Sequence, residues 1–180
     1  MKYTQQGRSM VEMLGVLAII GVLSVAGIAG YSMAMNRYRT TQIKDQVQTL
    51  SLNIRTLYSA QGTYEGLDID LLVTLGALDR SVCRPGDGFC LNGFPNGQMT
   101  IDTLGDNESQ FSLTYTNLPR NTCVAIAMAN WGGAASGFAG MDVNADSRRW
   151  ADNDEMPFTM VDAVGACDTD ASNEIMFVFQ

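Results

Sequence analysis

Between Glu12 and Arg37 the chain carries no charged side chain; residues 13–36 read MLGVLAIIGVLSVAGIAGYSMAMN. A helix rises ~1.5 Å per residue and needs roughly 20 residues to cross a hydrocarbon core, so this run reads as a membrane helix. A secretory signal peptide would have a shorter apolar region, of about 7–15 residues, followed by a small-residue cleavage site. Here the small residue that stands out, Gly7, precedes the run. Glu12 stands at its edge. A carboxylate opposes insertion, by about 2.5–3.5 kcal/mol for Asp at a helix centre and by less near the edge. An ionisable residue in such a segment is a functional candidate. The plainer alternative is a helix-start acid resting in the headgroup layer.

The apolar run contains Gly15, Gly21, Gly27 and Gly30, with Ala18, Ser24, Ala26 and Ala29 between them. Small residues let apolar helices approach closely, which favours a packed helix over an isolated one. The pattern then changes. Ile43, Val47, Leu50, Ile54 and Leu57 form a single stripe at helical spacing, separated by polar residues. No Pro or Gly interrupts residues 31–61, so one helix is predicted from about Ser9 to Gln61, ended by Gly62.

After the apolar run about 140 residues remain, enough for one small domain with a core of its own. The net charge is −8, and the one basic cluster, Arg148 and Arg149, is small. No nucleic-acid partner is expected, because phosphate binding needs a basic footprint. All four cysteines, Cys83, Cys90, Cys123 and Cys167, follow the apolar run. With no CxxC pair and no His, they read as two disulfides in an oxidising compartment rather than as a zinc site. Four cysteines allow three connectivities. The favoured one is Cys83–Cys90 as a local staple and Cys123–Cys167 as a long bridge. The turn residues of CRPGDGFC let that segment double back; the other pairings stay open. Lys2 and Arg8 precede the run, while Arg37, Arg39 and Lys44 follow it. That count slightly opposes an inside N-terminus, but the cysteines weigh the other way.

Within 63–97, Asp68 is placed to cap a short helix through Leu75, stopped by Gly76. Gln98–Leu104 and Gln110–Asn117 read as a hairpin turning at Gly105, Asp106 and Asn107, with Phe111, Leu113 and Tyr115 on one face. Pro119 to Asn130 reads as a helix capped by Asn121, residues 131–140 as a loop or small strand, and EIMFVFQ as an interior strand. No His is present to act as general base, and no nucleophile, phosphate-loop or zinc-protease motif occurs, so no enzyme is expected. Asp152, Asp154 and Glu155 read as a solvated loop. Asp142, Asn144 and Asp146 match the start of a calcium loop, D-x-N-x-D. The match then fails at Ser147 and Asn153, where Gly and Glu belong, so a polar turn is favoured and no cofactor is expected.

A short polar leader, Gly7, an acid five residues on at Glu12 and then an apolar helix together resemble the type IV prepilin signature. That resemblance implies cleavage after Gly7 by a prepilin peptidase, an N-terminus at Arg8 that is usually methylated, and assembly through Glu12. Glu12 would contact the N-terminal amine of a neighbouring subunit. Arg8 stands where the family usually has Phe or Met. The order of the remainder is similar to the type IVb pilins: hairpin, LPRNTCVAIA helix, glycine-rich stretch, second cysteine and final apolar strand. There the last two cysteines, here Cys123 and Cys167, bracket a variable region. The leader is shorter than is usual for that group.

The expected architecture is therefore α+β, the type IV pilin fold. A long N-terminal helix, membrane-embedded over its first half, packs on an antiparallel sheet with two disulfides. Residues 1–7 would be the leader, 8–61 the helix with its membrane span at about 13–35, and 62–180 the globular head. The implied function is the structural subunit of a pilus-like filament. The alternatives are a secretion pseudopilin, a minor pilin and, more remotely, a membrane-anchored binding module that never polymerises. The implied partners are copies of itself, the peptidase, the inner-membrane assembly machinery and the membrane. The subunit pool would lie in the inner membrane with the head in the periplasm, and the assembled pilus outside the cell.

Overall fold

The computed structural model describes residues 10–133, 136–169 and 172–180. The chain divides into two units, residues 1–38 and 39–180. A helix, α1 (Met10–Tyr58), runs through the end of the first unit and into the second. It is unbroken because no Pro falls within it.

In the first unit α1 is apolar on every side, and each residue from Met10 to Ala34 is exposed. An 18-residue window of this helix has a mean hydropathy of 2.4, so it is long and apolar enough to cross a membrane.

In the second unit α1 becomes one-sided. Ile43, Val47, Leu50 and Ile54 are buried, as their spacing predicts. The stripe ends on Tyr58 rather than on the expected Leu57, which is 44% exposed. Positions three and four beyond Ile54 both border the stripe, and tertiary packing decides between them. The Tyr58 ring meets Tyr64 at 5.5 Å between centroids, and Tyr64 meets Phe111 at 4.8 Å.

A short helix, α2 (Ile69–Thr74), is capped by Asp68, whose Oδ1 accepts from the Leu71 amide at 2.6 Å. Gly76 follows it with a φ of +75°, a conformation that costs other residues steric strain. The strands are β1 (Cys90–Leu91), β2 (Gln98–Leu104), β3 (Gln110–Leu118), β4 (Phe138–Val143), β5 (Asp146–Arg149) and β6 (Asn173–Phe179). They form one six-stranded sheet in the order β1-β2-β3-β6-β4-β5, antiparallel at each pairing.

The final strand thus enters the sheet interior between β3 and β4, in accord with its nearly continuous apolar sequence. Phe111, Leu113 and Tyr115 of β3 and Ile175 and Phe177 of β6 are wholly buried. Trp131 packs edge-on against Phe177 at 4.7 Å. Polar bonds tie the helix to this layer. The Tyr115 hydroxyl donates to Gln46 Oε1 at 3.2 Å, and burial pushes its pKa well above the ordinary value. Thr40 and Thr122 share a bond of 2.9 Å.

Helix α3 (Arg120–Ala127) begins one residue after Pro119, which has extended geometry and makes no side-chain cap bond. The expected cap at Asn121 is therefore corrected: Asn121 lies in the first turn, and its Oδ1 accepts from the adjacent Thr122 amide. Proline sets the entry because its ring fixes φ and leaves no N–H to satisfy. The helix also stops at Ala127, short of the expected Asn130.

Three features were not anticipated: α4 (Met160–Ala166), β5, and the β4–β5 hairpin that carries the D-x-N-x-D residues.

The stripe can be tested directly. Ile54→Ala should cost about 2–5 kcal/mol in denaturant unfolding. Leu57→Ala should stay within about 0.5 kcal/mol. Equal losses at the two sites would contradict the register described here.

Candidate assembly site and the disulfide-bounded region

Gly7 and Arg8 lie outside the described residues. Glu12 lies in the first turn of α1, where a carboxylate is favoured by the partial positive charge of the helix start. Met13, Val16 and Leu17 line a shallow recess with it. Along the same helix, a Cβ built on Gly15, Gly21, Gly27 or Gly30 meets nothing within 4 Å. The helix surface is open at those positions and flat enough for another helix to come close. Ser24 returns its hydroxyl to the Ile20 carbonyl at 2.8 Å, so it too presents little polarity outward.

The second candidate region is bounded by a disulfide. Cys123 in α3 is bonded to Cys167 just after α4, and Cys83 is bonded to Cys90; no described cysteine is free. Between Cys123 and Cys167 the surface is fastened by two arginines and two asparagines. Arg149 makes a bidentate pair with Asp142, and its backbone amide donates to Asp154 Oδ2 at 2.8 Å. Arg148 reaches Asp162 at 3.2 Å and Asp146 at 3.7 Å. It also donates to the Glu155 carbonyl at 3.0 Å and lies 4.0 Å above the Phe158 ring. Asn144 Nδ2 donates to the Ala166 carbonyl at 2.8 Å and to Asn173 Oδ1 at 2.9 Å, while its Oδ1 accepts from the Glu174 amide. Asn173 is fully buried and donates to the Leu118 carbonyl at 3.0 Å.

Asp142, Asn144 and Asp146 are thus turned to three separate partners within the fold. Among the described His, Cys, Asp and Glu residues no group of three is placed to hold a metal ion. Asn144 sits at the hairpin turn with a φ of +52°, which asparagine tolerates better than most residues. Sequence reasoning missed the fastening roles of Arg148, Arg149 and Asn173. The available signal was a lone arginine pair inside an otherwise acidic stretch.

A family model described as the PilS N terminal matches residues 37–180. The chain belongs to that family. It is a type IV pilin, IVb-like among them. It is 24% identical over 185 residues to the major structural subunit of bundle-forming pilus of Escherichia coli O111:H-, covering 98% of this chain and 95% of the relative. The subunit of the same description from Escherichia coli O127:H6 (strain E2348/69 / EPEC) matches with the same identity and coverage. Among solved structures, the NMR structure of the type IVb pilin PilS from Salmonella typhi matches with 21% identity and a TM-score of 0.48, covering 78% of this chain and 95% of that one. The family read from residues 7–36 and from the order of the head elements is the one the comparisons find.

In this pilin the Thr159 hydroxyl, and then the Arg148 guanidinium, hold the Asp162 carboxyl below its ordinary 3.8. A depressed folded pKa contributes stability that is present above the unfolded value and is lost as pH falls through the folded one. Wild type should therefore be more stable than Asp162→Asn at neutral pH, and the gap should close below about pH 4. Thermal unfolding of both forms across that range measures it. A gap that does not vary with pH would contradict this assignment.

Proposed function

We propose that this pilin is the structural subunit of a type IV pilus-like filament, polymerised through α1. The carrying observation is a helix that is apolar on every side over its first half and bears one carboxylate, Glu12, at its start. A bilayer stores such a helix, and a bundle of like helices replaces the bilayer when the subunit leaves it. The relatives named as major structural subunits support a main filament role over that of a minor pilin or pseudopilin.

In this reading a prepilin peptidase cleaves after Gly7 and frees an amine on Arg8. The membrane holds the precursor with its globular unit on the periplasmic side, where both disulfides form. The assembly machinery then extracts it to an extracellular filament. Glu12 is buried among apolar helices during packing, and an unpaired carboxylate there is strongly destabilising. The amine of an incoming subunit removes that penalty at one axial position only, which sets register. The Arg8 guanidinium adds a second cation at the same end and can meet a carboxylate through two bonds. The role is structural, with no reaction catalysed.

Glu12→Ala and Glu12→Gln should still insert, still be cleaved after Gly7 and still form both disulfides, yet give few or no filaments. Gly7→Val should leave the precursor at full length, because the cleavage pocket must accept a residue without Cβ. The measurements are surface filament yield against the processed membrane pool. Normal yield from both Glu12 variants would remove the assembly role of this carboxylate.

A further inference from the structure

The chain carries a net charge of −8, yet one groove of its globular unit holds a guanidinium and, among the described residues lining it, no carboxylate. The groove has a volume of about 290 Å³ and runs between the second half of α1 and the segment after α3. Gln48, Ser51, Leu52 and Arg55 line one wall, and Asn130 and Trp131 the other.

Arg55 is half-buried and held in place by neutral groups. Its Nη1 donates to the Ser136 carbonyl at 2.6 Å. The guanidinium lies against Gly137, where φ is +80° and a Cβ would overlap it, so glycine is needed at that position. Burial raises the pKa of the Tyr64 hydroxyl, and the Arg55 guanidinium beside it opposes that rise. Arg148 and Arg149 are paired with carboxylates, whereas Arg55 makes no ion pair among the described residues. A guanidinium has five N–H donors, so several remain for a ligand. Lys44 stands on the same face of α1 and adds a second cation beyond Gln48.

The facing wall supplies contacts of another kind. The Trp131 Nε1–H is turned into the fold, where it donates to the Ile126 carbonyl at 3.1 Å. What Trp131 offers the groove is therefore aromatic surface, which suits an apolar face of C–H groups. Asn130 accepts from the Gly132 amide through Oδ1 at 2.9 Å, which leaves its Nδ2 donors. The Gln48 side chain is exposed and brings both a donor and an acceptor. Hydroxyl groups need that mixture, since each donates once and accepts as well.

We propose that this groove binds a sugar ring bearing a carboxylate. Arg55 takes the carboxylate through two parallel bonds, Trp131 packs on the C–H face of the ring, and the Gln48 and Asn130 amides take its hydroxyls. A simple inorganic anion would leave Trp131 and both amides unused, and a neutral sugar would leave Arg55 without a counter-charge. The volume is at the small end for ligand sites, which limits the occupant to about one or two rings. The inference goes beyond the filament reading and stands on the globular unit alone.

The test titrates the full chain in detergent micelles with glucuronate and follows the Trp131 indole and the Gln48 and Asn130 side-chain amides by NMR. Those signals should shift and saturate at roughly millimolar ligand. Glucose should bind about tenfold more weakly, and acetate should leave the Trp131 signal in place. Arg55→Gln should abolish the preference for glucuronate over glucose. Arg55 also fastens Ser136, so a second variant avoids that contact: Leu52, 63% exposed on the rim, can be replaced without touching the core. Leu52→Glu should weaken glucuronate binding about tenfold by repulsion, and Leu52→Gln should not. The absence of a saturable shift, equal binding of glucose, the same shifts from acetate, or equal behaviour of the two Leu52 variants would each overturn the proposal. None of these readouts depends on filaments, so their failure and the failure of the subunit reading are separate results.

Discussion

An α-helix that is apolar on every side has no stable place in water. That constraint governs residues 13–36, and much else in the chain follows from it. Such a segment must rest in lipid or against other apolar helices, and lipid offers little driving force between helices beyond close packing. Glycine and alanine along the run keep its surface low enough for that packing. Glu12 is the exception, a carboxylate where burial is costly. A cation from outside the subunit, as proposed above, would offset that cost.

The same helix changes character within the second unit. Ile43, Val47, Leu50, Ile54 and Tyr58 give it one buried side, and Gln46 and Thr40 give it fixed polar contacts with β3 and α3. The sheet it packs on has β6 in its interior, paired with β3 on one side and with β4 of the region between Cys123 and Cys167 on the other. Within that region backbone hydrogen bonds run through the end of α3, the β4–β5 hairpin, the β4–β6 pairing and α4, with single bonds such as that from the Phe158 amide to the Ala127 carbonyl between them. Arg148, Arg149, Asn144 and Asn173 add side-chain connections. Charged and amide side chains suit this task because each bonds several carbonyls or carboxylates at once.

Sequence patterns reached the elements whose periodicity is long or strongly one-sided. The stripe of α1 was legible, as were the β2–β3 hairpin with Phe111, Leu113 and Tyr115 inward, the capped helix after Asp68, and the apolar final strand. Local competition decided what was missed. Pro119 displaced Asn121 at the start of α3 because backbone restriction outranked a side-chain cap. The sequence DSRR is too short and polar to read as a strand, and it becomes one only by pairing with β4. Met160–Ala166 alternates apolar and small residues without a buried stripe, since only Ala163 among its residues is buried. The proposed processing site at Gly7 and Arg8 rests on a motif alone and lies outside the described residues.

The central claim is that the chain leaves the membrane as a processed filament subunit, and the composition of surface filaments tests it most directly. Filaments sheared from cells and analysed by intact-mass spectrometry should contain this chain beginning at Arg8, with both disulfides formed and none of residues 1–7. Recovery of the chain only from the membrane fraction, with residues 1–7 still attached and no filament in the sheared material, would contradict the account.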